Sequence, residues 1–490
     1  MLLGLEVGTT GAWALAIDES GSVVASAAAS YRTLTPRPGW TEQDPEDWWA
    51  AAQAVLRQVA GEVQGEVTAL GLTGQMHGSV FLNQGGAVVR PALLWNDQRT
   101  GAQCEEITAR VGKERLIAVT GNPALTAFQA PKVLWLRDVE PVQYRHVRRV
   151  LLPKDYVRLR LTGELATDVA DASGTLLLDL KGRRWSQEIL DALEIPIDWL
   201  PTVSESATIT GGLRPSVAAD LGLPTGLPVA AGAGDRAAAA IATGIVRSGV
   251  ISSSIGTSGV LFAHRDGPAP DPSGRVHTFC SAVPGCYHLM AVTLAAGAVL
   301  RWWRDLLDAG VDYDQLAALA GTAPIGADGL FFLPYLSGER TPHRNPQARG
   351  AFVGLRAHHT RAHLTRALME GVIFSLRDGL EMMRGLGVSL ERVRATGGGA
   401  RSQAWRQMQA DMFNLPVESL AVDEGPALGA ALLAGVAAGV YRDVDDASHR
   451  ALRLAEVIEP NPEFAARYAQ LAHTFKALSS ATQVTPVPSG

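Results

Sequence analysis

Two short loops carry the residues best suited to chemistry. Gly8-Thr9-Thr10-Gly11 and Gly256-Thr257-Ser258-Gly259 each set glycines around adjacent hydroxyls. By itself such a loop is a tight turn that needs positive φ. Glycines also let backbone N–H groups converge on an anion, with the hydroxyls as further donors. Two such loops, facing each other across a cleft, would hold a polyphosphate. Another candidate is Asp235, within Gly232-Ala233-Gly234-Asp235-Arg236-Ala237. It can be read as a carboxylate capping a helix N-terminus or as a general base that takes the proton of a hydroxyl attacking a γ-phosphate. Spacing alone favours the cap.

Two more glycine clusters stand at the starts of helices. Thr396-Gly397-Gly398-Gly399-Ala400-Arg401-Ser402 would allow close backbone approach to a flat ligand such as adenine, or serve as a plain loop. Glu424-Gly425-Pro426-Ala427-Leu428-Gly429-Ala430-Ala431 opens a helix with a small face, for which helix packing is an equally good use. Rival nucleotide motifs fail. No G-x-x-x-x-G-K-[ST] occurs. His264-Arg265-Asp266 imitates a protein-kinase catalytic loop, but no V-A-I-K strand precedes it. The glycines before Asp235 imitate a dinucleotide fingerprint without the acidic residue expected about 20 positions on.

The elements that must position these residues alternate between β-rich and amphipathic stretches, the α/β pattern. MLLGLEV, AWALAIDES and SVVASAAAS read as strands, and Asp44 to Val63 as a helix with Asp-Pro at its start. VTALGLTG and LPVAAGAG read as strands. Lys113 to Val119, Pro131 to Asp138, and Asp235 to Thr243 read as helices. The two Gly-Thr loops sit about half a chain apart, each between two strands, so the chain is expected to be two similarly built domains meeting near Gly244 to Ser248.

A length of 490 residues exceeds one ordinary core. The net charge of −6, with no dense Lys/Arg block, argues against a nucleic-acid or anionic-membrane partner. No apolar run reaches the ~18 residues that span a bilayer. Cys104, Cys280 and Cys286 form no metal spacing and no disulfide framework. With no signal-peptide pattern, a cytoplasmic protein is expected.

The order of several stretches resembles the FGGY carbohydrate kinases, and among them the xylulokinases. These are WTEQDPEDWW (Trp40–Trp49), GLTGQMHGSV (Gly71–Val80), PALLWNDQR (Pro91–Arg99), LLPKDYVRLRLTGE (Leu151–Glu164), FLPYLSGERTPHRNP (Phe332–Pro346), ATGGGARS (Ala395–Ser402) and EGPALGAA (Glu424–Ala431), with Gly350 to Glu370 matching a spaced signature. The likeness covers roughly residues 1 to 440. It implies two actin-like, ribonuclease-H-type domains flanking a central ATP/sugar cleft. Residues 1–245 would carry the sugar site and first phosphate loop, and 246–490 the second phosphate loop and adenine site. It implies a kinase that uses ATP and Mg2+ to turn D-xylulose into D-xylulose 5-phosphate, with a homodimer common in the family. Gly8, Thr9, Thr10, Gly256, Thr257 and Ser258 would then bind phosphates, and Gly398, Gly399 and Ala400 would flank adenine. Met76, His77, Asn96, Asp97, Asp235 and Arg236 would meet the sugar. Asp235 would be the base, and Glu6 would serve the metal.

Glu6, Trp13 and Arg236 depart from that pattern, which usually has Asp, a cation and Asn at these places; Gln129 replaces a usual Ser or Thr. Glu reaches one methylene further than Asp, and Mg2+ is strict about geometry. Trp cannot neutralise phosphoryl charge. Arg only donates hydrogen bonds and lowers the pKa of a neighbouring carboxyl. The departures leave two alternatives to a xylulokinase: a kinase for another ketose or polyol such as ribulose, or an impaired homologue that binds ATP or sugar.

Overall fold

A computed structural model describes residues 1–307, 310–421 and 424–481. The first sheet contains β1 (Leu2–Val7), β2 (Gly11–Ile17), β3 (Val23–Ser30), β4 (Ala69–Gly74), β5 (Ile209–Gly212), β6 (Pro228–Ala230) and β7 (Ala233–Gly234). Its order is β5-β6-β4-β1-β2-β3, with β7 also paired to β4. β1 runs antiparallel to β2 and parallel to β4. β4 is buried along its whole length and β1 nearly so. That is why both read as apolar runs rather than alternations.

The second sheet contains β8 (Gly249–Ile255), β9 (Gly259–Arg265), β10 (His277–Cys280), β11 (Tyr287–Thr293), β12 (Leu390–Thr396), β13 (Val417–Leu420) and β14 (Leu454–Ile458). It repeats the plan of the first. β8 is antiparallel to β9 and parallel to β12, while β9 is antiparallel to β11. β13 and β14 complete one edge as β6 and β5 do in the first sheet. The two Gly-Thr loops are therefore equivalent turns, β1–β2 and β8–β9. Each sheet has its own core, one built around Leu5, Leu70 and Val229 and the other around Leu261, Leu289 and Phe374.

Local structure follows the sequence closely at α1 (Pro45–Glu62), whose N-cap Asp44 accepts a bond from the Glu46 N–H at 3.0 Å with Pro45 first in the helix. LPVAAGAG is not the single strand expected. Gly232 adopts φ 74°, and an added Cβ there would stand 1.8 Å from the Leu72 carbonyl oxygen. Only glycine permits this turn, which splits the segment into β6 and β7. α2 (Asp235–Ala242) follows directly.

In the second half, α3 (Gly297–Leu307), α4 (Arg361–Gly385) and α5 (Gln403–Phe413) surround the second sheet, and α6 (Gly425–Ala437) crosses back to the first. A Cβ on Gly71 would lie 1.8 Å from the Ala430 carbonyl oxygen, and one on Gly429 would lie 1.9 Å from that of Ala238. The small face of α6 thus serves backbone-close packing on β4 and α2. Beyond residue 440, the helix Pro462–Ala481 buries Tyr468 and Phe475 in the second core. Among the described residues no helix is long and apolar enough to cross a membrane.

Candidate active site

Strand register brings the two key carboxylates together. Thr73 of β4 pairs with Glu6 of β1 on one side and with Ala233 of β7 on the other. Asp235 stands two residues beyond Ala233, as the first residue of α2. Its carboxylate is not the helix cap. The N-cap is Gly234, and among the described residues Asp235 Oδ1 accepts only from the adjacent Arg236 N–H, at 2.8 Å. Burial raises the Asp235 pKa, and the Arg236 charge offsets part of that rise. Burial, followed by the negative charge of Asp235, pushes Glu6 up to about 7. Among the described residues nothing hydrogen-bonds or ion-pairs with the Glu6 carboxylate. Two adjacent oxygen-donor groups that resist ionising together fit a hard divalent cation.

Asp235 lines a cavity of about 170 Å3 shared with Thr9, Met76, His77, Ser258 and Arg340. One residue of each Gly-Thr loop, Thr9 and Ser258, therefore borders the chamber, from opposite sheets. His77 takes φ 68°. Its Nδ1 lies 2.6 Å from the Gly174 carbonyl oxygen, so Nδ1 carries the proton and Nε2 is the ring's acceptor. Burial, reinforced by the Lys132 charge, holds its pKa at about 3, and the imidazole is neutral at physiological pH. A buried Lys132 anchors this bend by donating to the His77 carbonyl oxygen at 2.8 Å.

The first loop is fixed by partners that sequence reasoning missed. Gln43 Nε2 donates to the Thr9 carbonyl oxygen at 2.7 Å, and Gln75 Nε2 to that of Gly8 at 3.2 Å. Trp95 Nε1 donates to Thr9 Oγ1 at 3.0 Å, which leaves the Thr9 proton free to point elsewhere. Gln43 and Gln75 both lie within the stretches that suggested the family. Both glutamines are buried, but neither stands in an apolar run that would have marked it. Thr10 is exposed.

Asn96 and Asp97 are placed differently from the expectation. Trp95, not its two neighbours, lines the chamber. Asp97 is buried, accepts from the Thr41 N–H at 2.7 Å and pairs with Arg99 at 2.7 Å. Its carboxylate braces the loop. Asn96 is half-buried, with Oδ1 enclosed and without a partner among the described residues. Gln129 likewise braces, donating to the Gly78 and Leu151 carbonyl oxygens, both at 3.1 Å.

On the second sheet, the Gly256 and Thr257 carbonyl oxygens accept from the Gly297 and Ala296 N–H groups at 2.7 and 2.9 Å, which seats the loop on the start of α3. Gly256, Thr257, Gly398 and Gly399 share a cavity of about 550 Å3 with Met369 and Trp405, a volume suited to a nucleoside. Ala400 is not on that wall. It packs on the second core and borders a separate cavity with Ser419. A further cavity, of about 210 Å3, carries Asp235, Arg236, Ser252, Thr396 and Gly425.

Two of the departures, Trp13 and Arg236, neighbour Glu6 and Asp235 respectively. Trp13 is the cross-strand partner of Glu6, so their side chains share a face of the sheet; the indole is 42% exposed. Arg236 borders both the chamber and the 210 Å3 cavity, and its guanidinium has no hydrogen-bond or ion-pair partner among the described residues. Beneath Asp235 lies a charge network that the sequence did not reveal. Lys154 is fully buried and pairs with Asp155 at 2.6 Å, Asp168 at 2.8 Å and Asp171 at 3.5 Å. Burial, and then its neighbouring carboxylates, raise the Asp171 pKa well above the ordinary value, with Lys154 opposing.

With this geometry in place, comparison with known proteins is informative. Residues 1–242 match the N-terminal domain, and residues 251–438 the C-terminal domain, of the FGGY family of carbohydrate kinases. The chain is 42% identical to the xylulose kinase of Escherichia coli (strain K12), over 98% of each protein. It is 38% identical to that of Bacillus subtilis (strain 168), over 98% of this chain and 97% of the other. A crystal structure of xylulose kinase from Rhodospirillum rubrum superposes with a TM-score of 0.93 at 34% identity, covering 98% of each chain.

Proposed function

We propose that this chain, which belongs to the FGGY family of carbohydrate kinases, transfers the γ-phosphoryl group of ATP to D-xylulose, yielding D-xylulose 5-phosphate and ADP. The observation that carries this reading is that Asp235 and one residue of each Gly-Thr loop, Thr9 and Ser258, border a single sugar-sized chamber. In that chamber Asp235 takes the proton of the attacking sugar hydroxyl as the new O–P bond forms and the bond to ADP breaks. Its raised pKa suits a base that must hold that proton. The neutral His77 ring accepts from a second sugar hydroxyl through Nε2. Met76 and Trp95 supply apolar walls that keep water from competing as the acceptor. N–H groups and hydroxyls of Gly8–Thr10 and Gly256–Ser258 hold the phosphates, while Gly398 and Gly399 border the base. A bound Mg2+ would neutralise charge on the phosphate oxygens, and Glu6 is the residue that would hold it. The three free cysteines suit a reducing cytoplasm. An assay of ADP release across D-xylulose, ribulose and common polyols tests the reading. D-Xylulose should give the highest kcat/KM. Faster turnover of another sugar would reassign the substrate, and no turnover of any would leave only a binding protein.

The three departures give a separate expectation. Arg236 lowers the pKa of the base, Trp13 brings no charge beside Glu6, and Glu6 is longer than the Asp usual there. A triple variant with Glu6→Asp, Trp13→Lys and Arg236→Asn should gain at least ~10-fold in kcat/KM on D-xylulose. Single changes will not add simply, because the groups share one centre. A faster unaltered enzyme would identify the three residues as adaptations.

A further inference from the structure

The chamber contains a second guanidinium, Arg340, which the second half of the chain contributes. Its backbone is tightly fixed. Glu339, buried beside it, accepts from the Leu294 N–H at 2.9 Å and the Arg340 N–H at 2.7 Å. Thr341 donates its N–H to the Val292 carbonyl oxygen at 2.9 Å, and its hydroxyl accepts from the Val292 N–H at 3.1 Å. Both neighbours of Arg340 are thus tied to β11 or its end, whereas the guanidinium itself has no hydrogen-bond or ion-pair partner among the described residues. Burial depresses its pKa, a sign of how poorly its charge is solvated. A half-buried guanidinium without a protein partner, on a segment held this rigidly at a chamber wall, is placed for a ligand.

What the ligand must offer follows from the donor. A guanidinium has five N–H donors in a planar fork and no acceptor. An alcohol oxygen can receive one of these bonds, but its own proton then needs an acceptor that Arg340 cannot supply. A ketone oxygen has two lone pairs and no proton, and in a hydroxyketone a second oxygen sits on the adjacent carbon, at the spacing of the fork. Asp235 and His77 provide acceptors elsewhere in the chamber for hydroxyl protons, but Arg340 provides none. Resting on the proposed reading of this site as a sugar kinase, we infer that Arg340 recognises the hydroxyketone end of the substrate. It thereby selects ketoses over the alditols with the same carbon chain.

The test compares D-xylulose with xylitol and D-arabitol, its two reduction products, using the wild-type protein, Arg340→Ala, Arg340→Gln and Arg340→Lys. Wild type should prefer the ketose by at least ~30-fold in kcat/KM, the scale of one hydrogen bond to a charged group. In Arg340→Ala and Arg340→Gln the preference should collapse to within threefold, through a higher KM for the ketose and an unchanged KM for ATP. Arg340→Lys should fall between. Thermal unfolding reports whether each variant is folded, and Gln keeps a polar head should Ala unfold. A folded variant that retains the wild-type preference overturns the inference. If wild type phosphorylates none of the three, the kinase reading fails instead. Calorimetric binding of D-xylulose and xylitol to wild type and Arg340→Gln then decides the role of Arg340 alone, an equal loss of affinity for both ligands counting against it.

Discussion

Asp235→Asn is expected to lower turnover on D-xylulose by at least ~10²-fold, the usual contribution of a positioned general base. The amide keeps the shape and the acceptor for the Arg236 N–H seen at 2.8 Å, but it cannot take up a proton. Because Asp235 is not the cap of α2, its loss should not unwind the helix, and the unfolding temperature should stay close to that of wild type. Nucleotide affinity should hardly change, since the cavity bordered by Gly256, Gly398 and Gly399 does not include Asp235. Turnover within threefold of wild type would remove Asp235 from the role of base.

Lys154→Met should be the most destabilising of these substitutions. Lys154 is wholly buried among Asp155, Asp168 and Asp171, and Arg158 reaches only Asp155, at 3.5 Å. Methionine fills similar volume but leaves three carboxylates around a single cation. Breaking a buried pair by removing one partner costs about 3–5 kcal/mol. At about 2–4 °C per kcal/mol for a domain of this size, the Tm should fall by about 6–20 °C. Lys154→Arg retains the charge and should recover part of that loss. A Tm within 2 °C of wild type would show that the network is not held together by Lys154. The network reaches the reaction centre through Gly234, where an added Cβ would lie 3.1 Å from Asp171 Oδ1.

Much of the fold was legible because its signals are local. The Asp-Pro start of α1, the buried runs of β1 and β4, and the paired Gly-Thr loops each follow from residue chemistry at short range. The repeated hairpin suggested the duplication, and strand order now shows it. The break at Gly232 was not legible, since a glycine in an apolar run marks a turn only when the Leu72 carbonyl oxygen opposite is known. The return of α6 to the first sheet is a long-range event that small residues permit without specifying a destination. At the site, Asp235, His77, Met76, Thr9 and Ser258 border one chamber. The commitment of Asp97 to Arg99 was not legible, because an exposed carboxylate and one paired with an arginine look alike in sequence. Gln43, Gln75, Lys154 and Arg340 were missed because each acts through contacts made far along the chain.

The most direct test of the central claim is the 31P NMR spectrum of the protein incubated with ATP, Mg2+ and D-xylulose. The account predicts loss of the γ-phosphate signal and growth of one phosphomonoester signal coupled to the two protons of C5, with stoichiometric ADP. A phosphate placed on another carbon would contradict the proposed product. ATP left intact, with both ligands shown to bind, would contradict the assignment of phosphoryl transfer itself.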